Sequence, residues 1–361
     1  MLKKLFKFIL TLIIIIIVFL AVYAAYVLIS YHRIEDNQSI DVEGTAENTT
    51  AQADKKYRII SANLGFGAYS DDYSFFMDGG TESWAYSKDA VKTNLNGSMD
   101  AILGLSPDFI ALQEVDLKST RSYKVDESKL IYDRINSSSF GNSSRTFAIN
   151  YDSPFLLYPI TQPHGKSYAG IYTISSVQIN SATRRSLPIE EGMSKLIDLD
   201  RCYCKNYIDV DNGKKLVLYN VHLSAYTTDP ATAQNQVVML NEDMRNEFAA
   251  GNYIIAAGDM NKDVLGDSTK YFNTSAQDQL WAKPFPVELL DDDFSVVKPV
   301  DENDPVPSAR NADTAYTKDS FVITIDGFIV SSNVEVTESN VVNTGFKYSD
   351  HNPVFMDFIL K

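Results

Sequence analysis

The sequence predicts a mixed α/β sandwich with its helices outside the sheets. Three observations carry that reading: short apolar runs that end abruptly in Asn, Glu, His or Asp, two longer segments with apolar residues at helical spacing, and strict alternation at the C-terminal end. With 361 residues, 45% of them hydrophobic, the chain can bury a full core, and an α/β unit of about 300 residues can be one domain. No internal repeat is present.

Taken in order, Lys3, Lys4 and Lys7 precede a nearly uninterrupted apolar stretch from Phe8 to Ile29, long enough to cross a bilayer as one helix. Basic residues lie before it, and Glu35, Asp36, Asp41 and Glu43 follow it. That asymmetry places the N-terminus in the cytoplasm and the rest of the chain outside. Residues 1–31 are therefore expected to be a single-pass anchor in the cell membrane. Val22-Tyr23-Ala24 offers small residues to a signal peptidase, so the alternative is a secreted chain, though the run is long for a signal peptide; either reading exports the domain. Residues 32–56, polar and without apolar periodicity, are expected as a flexible linker, and 57–361 as the folded domain.

Tyr57 to Asn63 is expected as the first strand of the domain, turning at Gly65-Phe66-Gly67. After an aromatic stretch with Gly79 and Gly80, Val91, Leu95 and Ile102 recur at helical spacing until Ser106-Pro107-Asp108 stops the helix. Phe109 to Leu112 is then a short buried strand that delivers Glu114 just past its end. Arg201 to Val210 and Leu216 to Asn220 read as further strands. Asp229 suits an N-cap with Pro230 at the first helical position; Val237, Leu240, Met244 and Phe248 make one face and Gly251 follows, so a helix is expected from Asp229 to Ala250. Tyr253 to Ala257 follows as a strand, with Asp259 beyond it. Asp291 to Ala315, dense in Asp, Pro and Asn, is expected as a surface loop near the site. Val322 to Ile325 is a strand, and Val354, Met356 and Phe358 alternate with Phe355 and Asp357 as the chain closes.

Beyond position 33 the chain holds 28 basic residues against 47 acidic ones, a balance of −19, where the whole carries −15. Such a surface argues against tight non-specific binding to a polyanion, although a divalent cation in a cleft can supply positive charge locally. Cys202 and Cys204 are the only cysteines. In a strand they face one side, where a disulfide between them would be strained and two thiols make a poor metal site, so a structural role is favoured. Asp291-Asp292-Asp293 lacks EF-hand spacing and reads as a solvated acidic run. Phe75, Phe76, Met77 and Trp84 read equally well as an apolar recognition loop or as core.

Six short segments carry the chemistry: Ser61-Ala62-Asn63, Leu112-Gln113-Glu114, Asn220-Val221-His222-Leu223, Gly258-Asp259-Met260-Asn261, Ile325-Asp326 and Ser349-Asp350-His351-Asn352-Pro353. Four contain a carboxylate and two an imidazole, and most sit where an apolar run ends, which is where an α/β sheet presents groups to a ligand. Taken singly each is ordinary: Asn63 a turn residue, Glu114 a surface carboxylate, Asp326-Gly327 a turn, His222 a core histidine. Their concurrence is not, since only four histidines exist and two fall in these segments. Hydrolysis of a phosphoester needs charge neutralisation, a deprotonated water in line and help for the leaving oxygen, and a hard divalent cation with carboxylate and carboxamide ligands supplies the first. Glu114, with Asn63 beside it, is the candidate metal ligand. Asp259 and Asn261 can face one side to orient water and contact a phosphoryl oxygen, while Asp326 can fix the tautomer of His351.

The ordered series Asn63, Gln113-Glu114, His222, Gly258-Asp259-Met260-Asn261, Asp326 and Ser349-Asp350-His351-Asn352-Pro353 resembles the endonuclease/exonuclease/phosphatase superfamily, of deoxyribonuclease-I-like fold, over roughly 57–361. The resemblance implies a four-layer α/β sandwich with two central mixed sheets flanked by helices, and a Mg2+-dependent site at one sheet edge, Mn2+ being a possible substitute. It implies metal ligation by Glu114 with Asn63 and Asp350, a water- and phosphate-orienting pair in Asp259 and Asn261, a dyad of His351 with Asp326, and leaving-group or transition-state stabilisation by His222. Tyr168-Ala169-Gly170, followed by Ser175, resembles the family's Gly-containing strand more loosely. The Asn-Val-His-Leu form resembles the sphingomyelinase, deadenylase and deoxyribonuclease-like branches more than the apurinic endonucleases.

The function so implied is a membrane-tethered, metal-dependent phosphoester hydrolase, a phosphodiesterase in preference to a phosphomonoesterase. Nucleic acid, phospholipid or sphingolipid headgroups and small phosphoesters stay open as substrates, a nuclease and a sphingomyelinase-like lipid phosphodiesterase alike, with no protein partner expected. The rival is a non-catalytic binding or adhesion domain that keeps the fold, which would lack at least one of these carboxylates or histidines.

Overall fold

A computed structural model describes residues 1–192, 194–196, 199–225, 229–272 and 283–361. The chain runs through α1 (Leu2–Ser30), β1 (Gln38–Ile40), β2 (Lys56–Asn63), α2 (Lys88–Leu103), β3 (Phe109–Asp116), α3 (Glu127–Asn136), β4 (Ser144–Asp152), β5 (Tyr168–Ser175), β6 (Ser181–Ser186) and β7 (Cys202–Asp209). It continues through β8 (Lys215–His222), α4 (Pro230–Ala249), β9 (Tyr253–Asp259), β10 (Phe294–Val297), β11 (Ala309–Arg310), β12 (Val322–Ile323), β13 (Asp326–Ser331), β14 (Val334–Val341) and β15 (Val354–Leu360).

Local chemistry sets the helix ends. Ser87 caps α2 by accepting from the Ala90 amide, Asp126 caps α3 through Lys129, and Asp229 caps α4 through Ala231 with Pro230 behind it. Gly251, at φ +89°, leaves α4 in a conformation that a side chain would disfavour.

Two mixed sheets form, one in the order β14-β15-β2-β3-β5-β4 and the other β1-β6-β7-β8-β9-β13-β10. Each contains one parallel pair, β2 with β3 and β8 with β9, and in each case a helix makes the crossover. Both faces of these strands are buried, which is why they read as continuous apolar runs. Tyr57, Ile59, Phe109 and Ala111 pack across the sandwich near Leu216, Leu218, Ile255 and Ala257. On the outer face of the first sheet Ile60, Ile110 and Leu112 meet Val91, Leu95 and Met99 of α2 and Ile131 of α3; Val217, Tyr219 and Ile254 meet Val237, Leu240 and Met244 of α4 on the other. The result is the mixed α/β sandwich that the sequence predicted, in the four layers that the resemblance implied. Helix α1 meets it only near its C-terminal end, at Tyr23, Tyr26 and the buried Val27; an 18-residue stretch of mean hydropathy 3.1 is only 6% buried, so by length and composition it could cross a membrane.

Four expectations are corrected. The segment expected as a flexible linker packs on the domain: Arg33 pairs with Asp200 at 2.5 Å, β1 pairs antiparallel with β6, and the buried Ala51 donates its amide to Asp209. Its polar groups are satisfied by a free sheet edge instead of by water. Strand β3 does not stop at Leu112 but continues to Asp116 through a bulge between Leu112 and Val115, with Glu114 at φ 53°. The stretch Asp291 to Ala315 is more than surface loop, since β10 pairs with β13, and Ser308, Ala309 and Arg310 are buried. Finally, β12 ends at Ile323, and Asp326 opens the next strand instead of closing one.

Both cysteines are free, buried and packed between the sheets beside Ala148 and Ile171. Burial pushes their thiols up, to about 11 for Cys202 and about 12 for Cys204, so the structural role stands.

Candidate active site

Register alone brings three of the expected residues into a row. His222 is paired with Asp259 across β8 and β9, and Asp259 with Asp326 across β9 and β13. The preceding Gly258 explains the glycine of its motif: a Cβ there would lie 1.9 Å from the Val221 carbonyl oxygen, so any side chain would force β8 away. In the other sheet Asn63 pairs with Gln113, which puts Asn63 and Glu114 at the same end of the sandwich.

Side chains then join the two sheets. Asn63 Nδ2 donates to Glu114 Oε1 at 3.2 Å and to Asp259 Oδ2 at 3.1 Å, while its Oδ1 accepts from the Gly65 amide at 3.0 Å. Asn63, expected as a ligand, thus turns its donor edge toward both carboxylates and holds them together. His222 Nε2 lies 3.6 Å from Asp259 Oδ2 and 4.0 Å from Glu114 Oε1. Asn261 gives its backbone amide to Asp259 Oδ1 at 2.9 Å and its Nδ2 to the Leu223 carbonyl at 2.8 Å. Ser349 Oγ donates to the Asn63 carbonyl at 2.9 Å, which docks the segment carrying Asp350 and His351 onto the end of β2. Asn63, Glu114, His222, Asp259, Asn261, Asp350 and His351 line one cleft, and Asp326 lies beneath it.

The His351–Asp326 pair is close, with Nδ1 2.7 Å from Oδ2. The same Oδ2 accepts from Ser308 Oγ at 2.7 Å, and that oxygen takes the backbone amides of Ile325 and Asp326 at 3.0 and 3.1 Å. Asp326 is therefore held from two sides, and His351 Nε2 is left facing Asp259 Oδ2 at 3.9 Å. Burial opposes charge on His351, but Asp326, with Asp350 and Asp259, overcomes it and holds the imidazolium well above the usual histidine range. His222 goes the other way: burial, with Arg201 and His351 nearby, drives it well below that range, and it stays neutral. Burial pushes Asp259 up to about 7, His351 opposing and Asp326 adding to the rise, and it pushes Asp350 up to about 6. The cleft thus pairs a charged histidine with a neutral one around a carboxyl poised near neutrality, the spread that acid–base chemistry uses.

Sequence reasoning missed several cleft residues. Arg121 binds Asp116 with two nitrogens, at 3.2 and 2.9 Å, and stacks 3.9 Å over Phe66. Arg310 is fixed by the carbonyls of Asn311, Thr314, Ser70 and Tyr73. Tyr69, Tyr151, His164 and Arg201 were missed as well, and with Phe75 of the aromatic stretch they complete the walls. Ser308 and Arg310 lie in the polar stretch that read as loop, and no local pattern marks Arg121. Met77 lines the cleft while Trp84 Nε1 donates to the Pro163 carbonyl at 2.8 Å, so the aromatic stretch is part cleft wall and part packing.

Two motif residues serve the frame. Gln113 Nε2 donates to Asn220 Oδ1 at 2.8 Å, and Asn220 Nδ2 returns bonds to the Leu112 and Tyr172 carbonyls at 3.2 Å each, joining the sheets directly behind the site. Gly170 pairs with Val115 at the β3 bulge and with Ile149 at a bulge in β4, and a Cβ on it would meet the Ala148 carbonyl oxygen at 2.3 Å.

No family model and no curated protein matches the sequence. Solved structures do resemble the fold. An endonuclease/exonuclease/phosphatase family protein from Leptotrichia buccalis matches with a TM-score of 0.53 at 14% identity, over 84% of this chain and 99% of its own. The human Nocturnin catalytic domain with bound sulfate gives 0.51 at 15% identity, over 89% and 98%. ANGEL2, a 2',3'-cyclic phosphatase, in complex with adenosine-2',3'-vanadate gives 0.54 at 12% identity, over 89% and 99%. At these identities the likeness establishes that the chain has the endonuclease/exonuclease/phosphatase fold.

Proposed function

We propose that this chain is a divalent-cation-dependent phosphoester hydrolase, acting on phosphodiesters in preference to monoesters by in-line attack of water, with its catalytic domain outside the cytoplasmic membrane. The observation that carries this reading is the meeting of Glu114 and Asp259, from opposite sheets, on the two bonds of Asn63 beside the 2.7 Å His351–Asp326 pair. The fit to a hard cation rests on donor chemistry: Glu114 and Asp350 offer carboxylate oxygens to one cleft, without a thiol. Asp259, Asp326 and His351 also lie within 4.8 Å of one another, but His351 and Asp326 are engaged with each other, which favours the Glu114 side.

In this reading Glu114 and Asp350 hold Mg2+ or Mn2+, which when bound neutralises charge on the phosphoryl group. Asn63 keeps Glu114 and Asp259 in fixed relation. Asp259, its carboxyl poised near 7, accepts the proton of the attacking water, and the Asn261 amide at 2.9 Å fixes the orientation of that carboxyl. His351, held cationic against Asp326, binds a phosphoryl oxygen, and neutral His222 stabilises the leaving side. The rival reading, a binding domain that retains the fold, predicts a missing catalytic group, and all eight residues are present.

The test is turnover of a generic phosphodiester by the full chain, with Mg2+ or Mn2+ and with chelator. Activity is expected to need the cation. Equal rates in chelator would remove the metal from the proposal, and no turnover of DNA, RNA, lipid or nucleotide phosphodiesters with cation present would support the binding-domain reading.

A further inference from the structure

The segment from Pro154 to Gly165 contains no Asp, Glu, Lys or Arg, in a chain where 22% of residues are charged. Leu156 anchors it at 5% exposure, but three of its large apolar side chains face outward: Ile160 is 88% exposed, Tyr158 61% and Phe155 42%. Grouped exposure of this kind on an otherwise acidic surface marks a contact face, not packing. Beside it Phe76 meets Tyr158 edge-on, ring centres 5.6 Å apart, and the next residue, Met77, is 51% exposed and lines the cleft. The apolar segment is therefore continuous with the cleft mouth.

Helix α1 fixes where this segment sits. Tyr23 Oη donates to the Phe155 carbonyl at 3.4 Å and accepts from the Leu157 amide at 2.8 Å, and Tyr26 Oη accepts from the Phe155 amide at 3.0 Å. Immediately past the helix, His32 lies 3.6 Å from Asp152 and Arg33 2.5 Å from Asp200, so the helix end is clamped to the domain without slack. At about 1.5 Å per residue, Tyr23 and Tyr26 lie about 9 and 5 Å inside the outer end of the apolar run at Ile29. A hydrocarbon core of about 30 Å, counted from Phe8, ends near Val27, so Tyr26 lies at its edge and Tyr23 about one turn inside, in the zone where tyrosines gather in membrane-spanning helices.

We propose that the loop bearing Phe155, Tyr158 and Ile160 lies in the outer interface of the same lipid bilayer that α1 crosses, holding the cleft mouth against the lipid surface. The proposal rests on the reading of α1 as a retained anchor. The cleft then faces phosphoesters presented at the bilayer, and the domain does not sample the aqueous volume that a free tether would allow.

The test uses the full chain in phosphatidylcholine vesicles, with an environment-sensitive dye on Ile160→Cys and, as control, on Lys214→Cys in the far β7–β8 turn. The native cysteines are buried and do not compete for label. At position 160 the dye is expected to shift to the blue and to lose about half its emission to lipids brominated in the acyl chains, as for a group buried about 5–10 Å in the interface, while the dye at 214 reports water. If carbonate washes the chain off the vesicles, the anchor reading fails, and the proposal with it. If the chain stays but the dye at 160 reports water, the loop contact alone is overturned. A blue-shifted dye that brominated lipid does not quench puts a protein surface there, and a shift at both positions indicates general adsorption; each outcome overturns the proposal.

Discussion

The two sheets are built alike around the site but place their carboxylates differently. Each contributes a strand–helix–strand crossover and delivers an acid beside the end of a parallel strand, Glu114 in the first and Asp259 in the second. Glu114 leaves its strand at a bulge, and its side chain is 23% exposed; Asp259 sits in regular register between His222 and Asp326 at 2%. An acid open to the cleft can exchange water for a cation, whereas one enclosed by imidazoles and a second carboxyl is shaped to move a proton. Under the proposed function one topological unit would serve two chemistries, and the structural difference lies in the bulge and in what packs over each acid.

That contrast can be broken first by substitution. Asp259→Asn should lower turnover by about 10³–10⁴-fold, as for loss of a general base, with the cation requirement unchanged. Glu114→Ala should instead raise the cation concentration for half-maximal activity by about 100-fold, because a direct ligand should matter at least as much as an outer one. Activity measured across a cation titration separates the two; equal shifts in both variants would erase the distinction.

A smaller effect sharpens the Asp259 side. Asp326→Asn and His351→Ala should each lower turnover by about 10²–10³-fold, and the double variant by little more than either, since the 2.7 Å bond makes them one unit. Adding His222→Ala should multiply the loss. A double-mutant cycle on kcat reads this directly, and independent multiplication of the first two would dissolve the pair.

The smallest expected effect lies behind Glu114. Glu127 is buried, accepts from the Asp116 amide at 2.8 Å, and is raised well above its ordinary 4.5 by burial and by Asp116. Below 4.5 its carboxyl is protonated in both folded and unfolded chains; as pH rises the unfolded chain ionises first, so stability is lost toward the folded value. Glu127→Gln should therefore raise the melting temperature by about 2 °C at pH 8 and leave it unchanged near pH 4, measured by calorimetry. A gain at both pH values would trace the effect to packing instead.

What was legible in the sequence follows the same division. Strands buried on both faces announce themselves as apolar runs, and a helix cap such as Asp229 acts within a few residues, so the sandwich and its crossovers could be read locally. The site could be read because its residues end those runs. Glu114's bulge could not, since it depends on Gly170 of a strand far along the chain. Nor could the packing of residues 32–56, which carry no apolar period and are held by ladder bonds and by ion pairs such as Arg33–Asp200. Ser308 and Arg310 were hidden for a related reason: a stretch rich in Asp, Pro and Asn looks solvated until the carboxylate and carbonyls that it binds are in place.

The amide pair Gln113–Asn220 works as a dowel between two boards. Apolar faces set no preferred alignment along the strands, and sliding one sheet past the other by a single residue would displace Glu114 from Asp259 by about 3.3 Å. Catalytic constellations tolerate about 0.5 Å. The dowel lies next to Glu114 in β3 and two residues before His222 in β8, so misalignment is stopped where its consequence would be greatest.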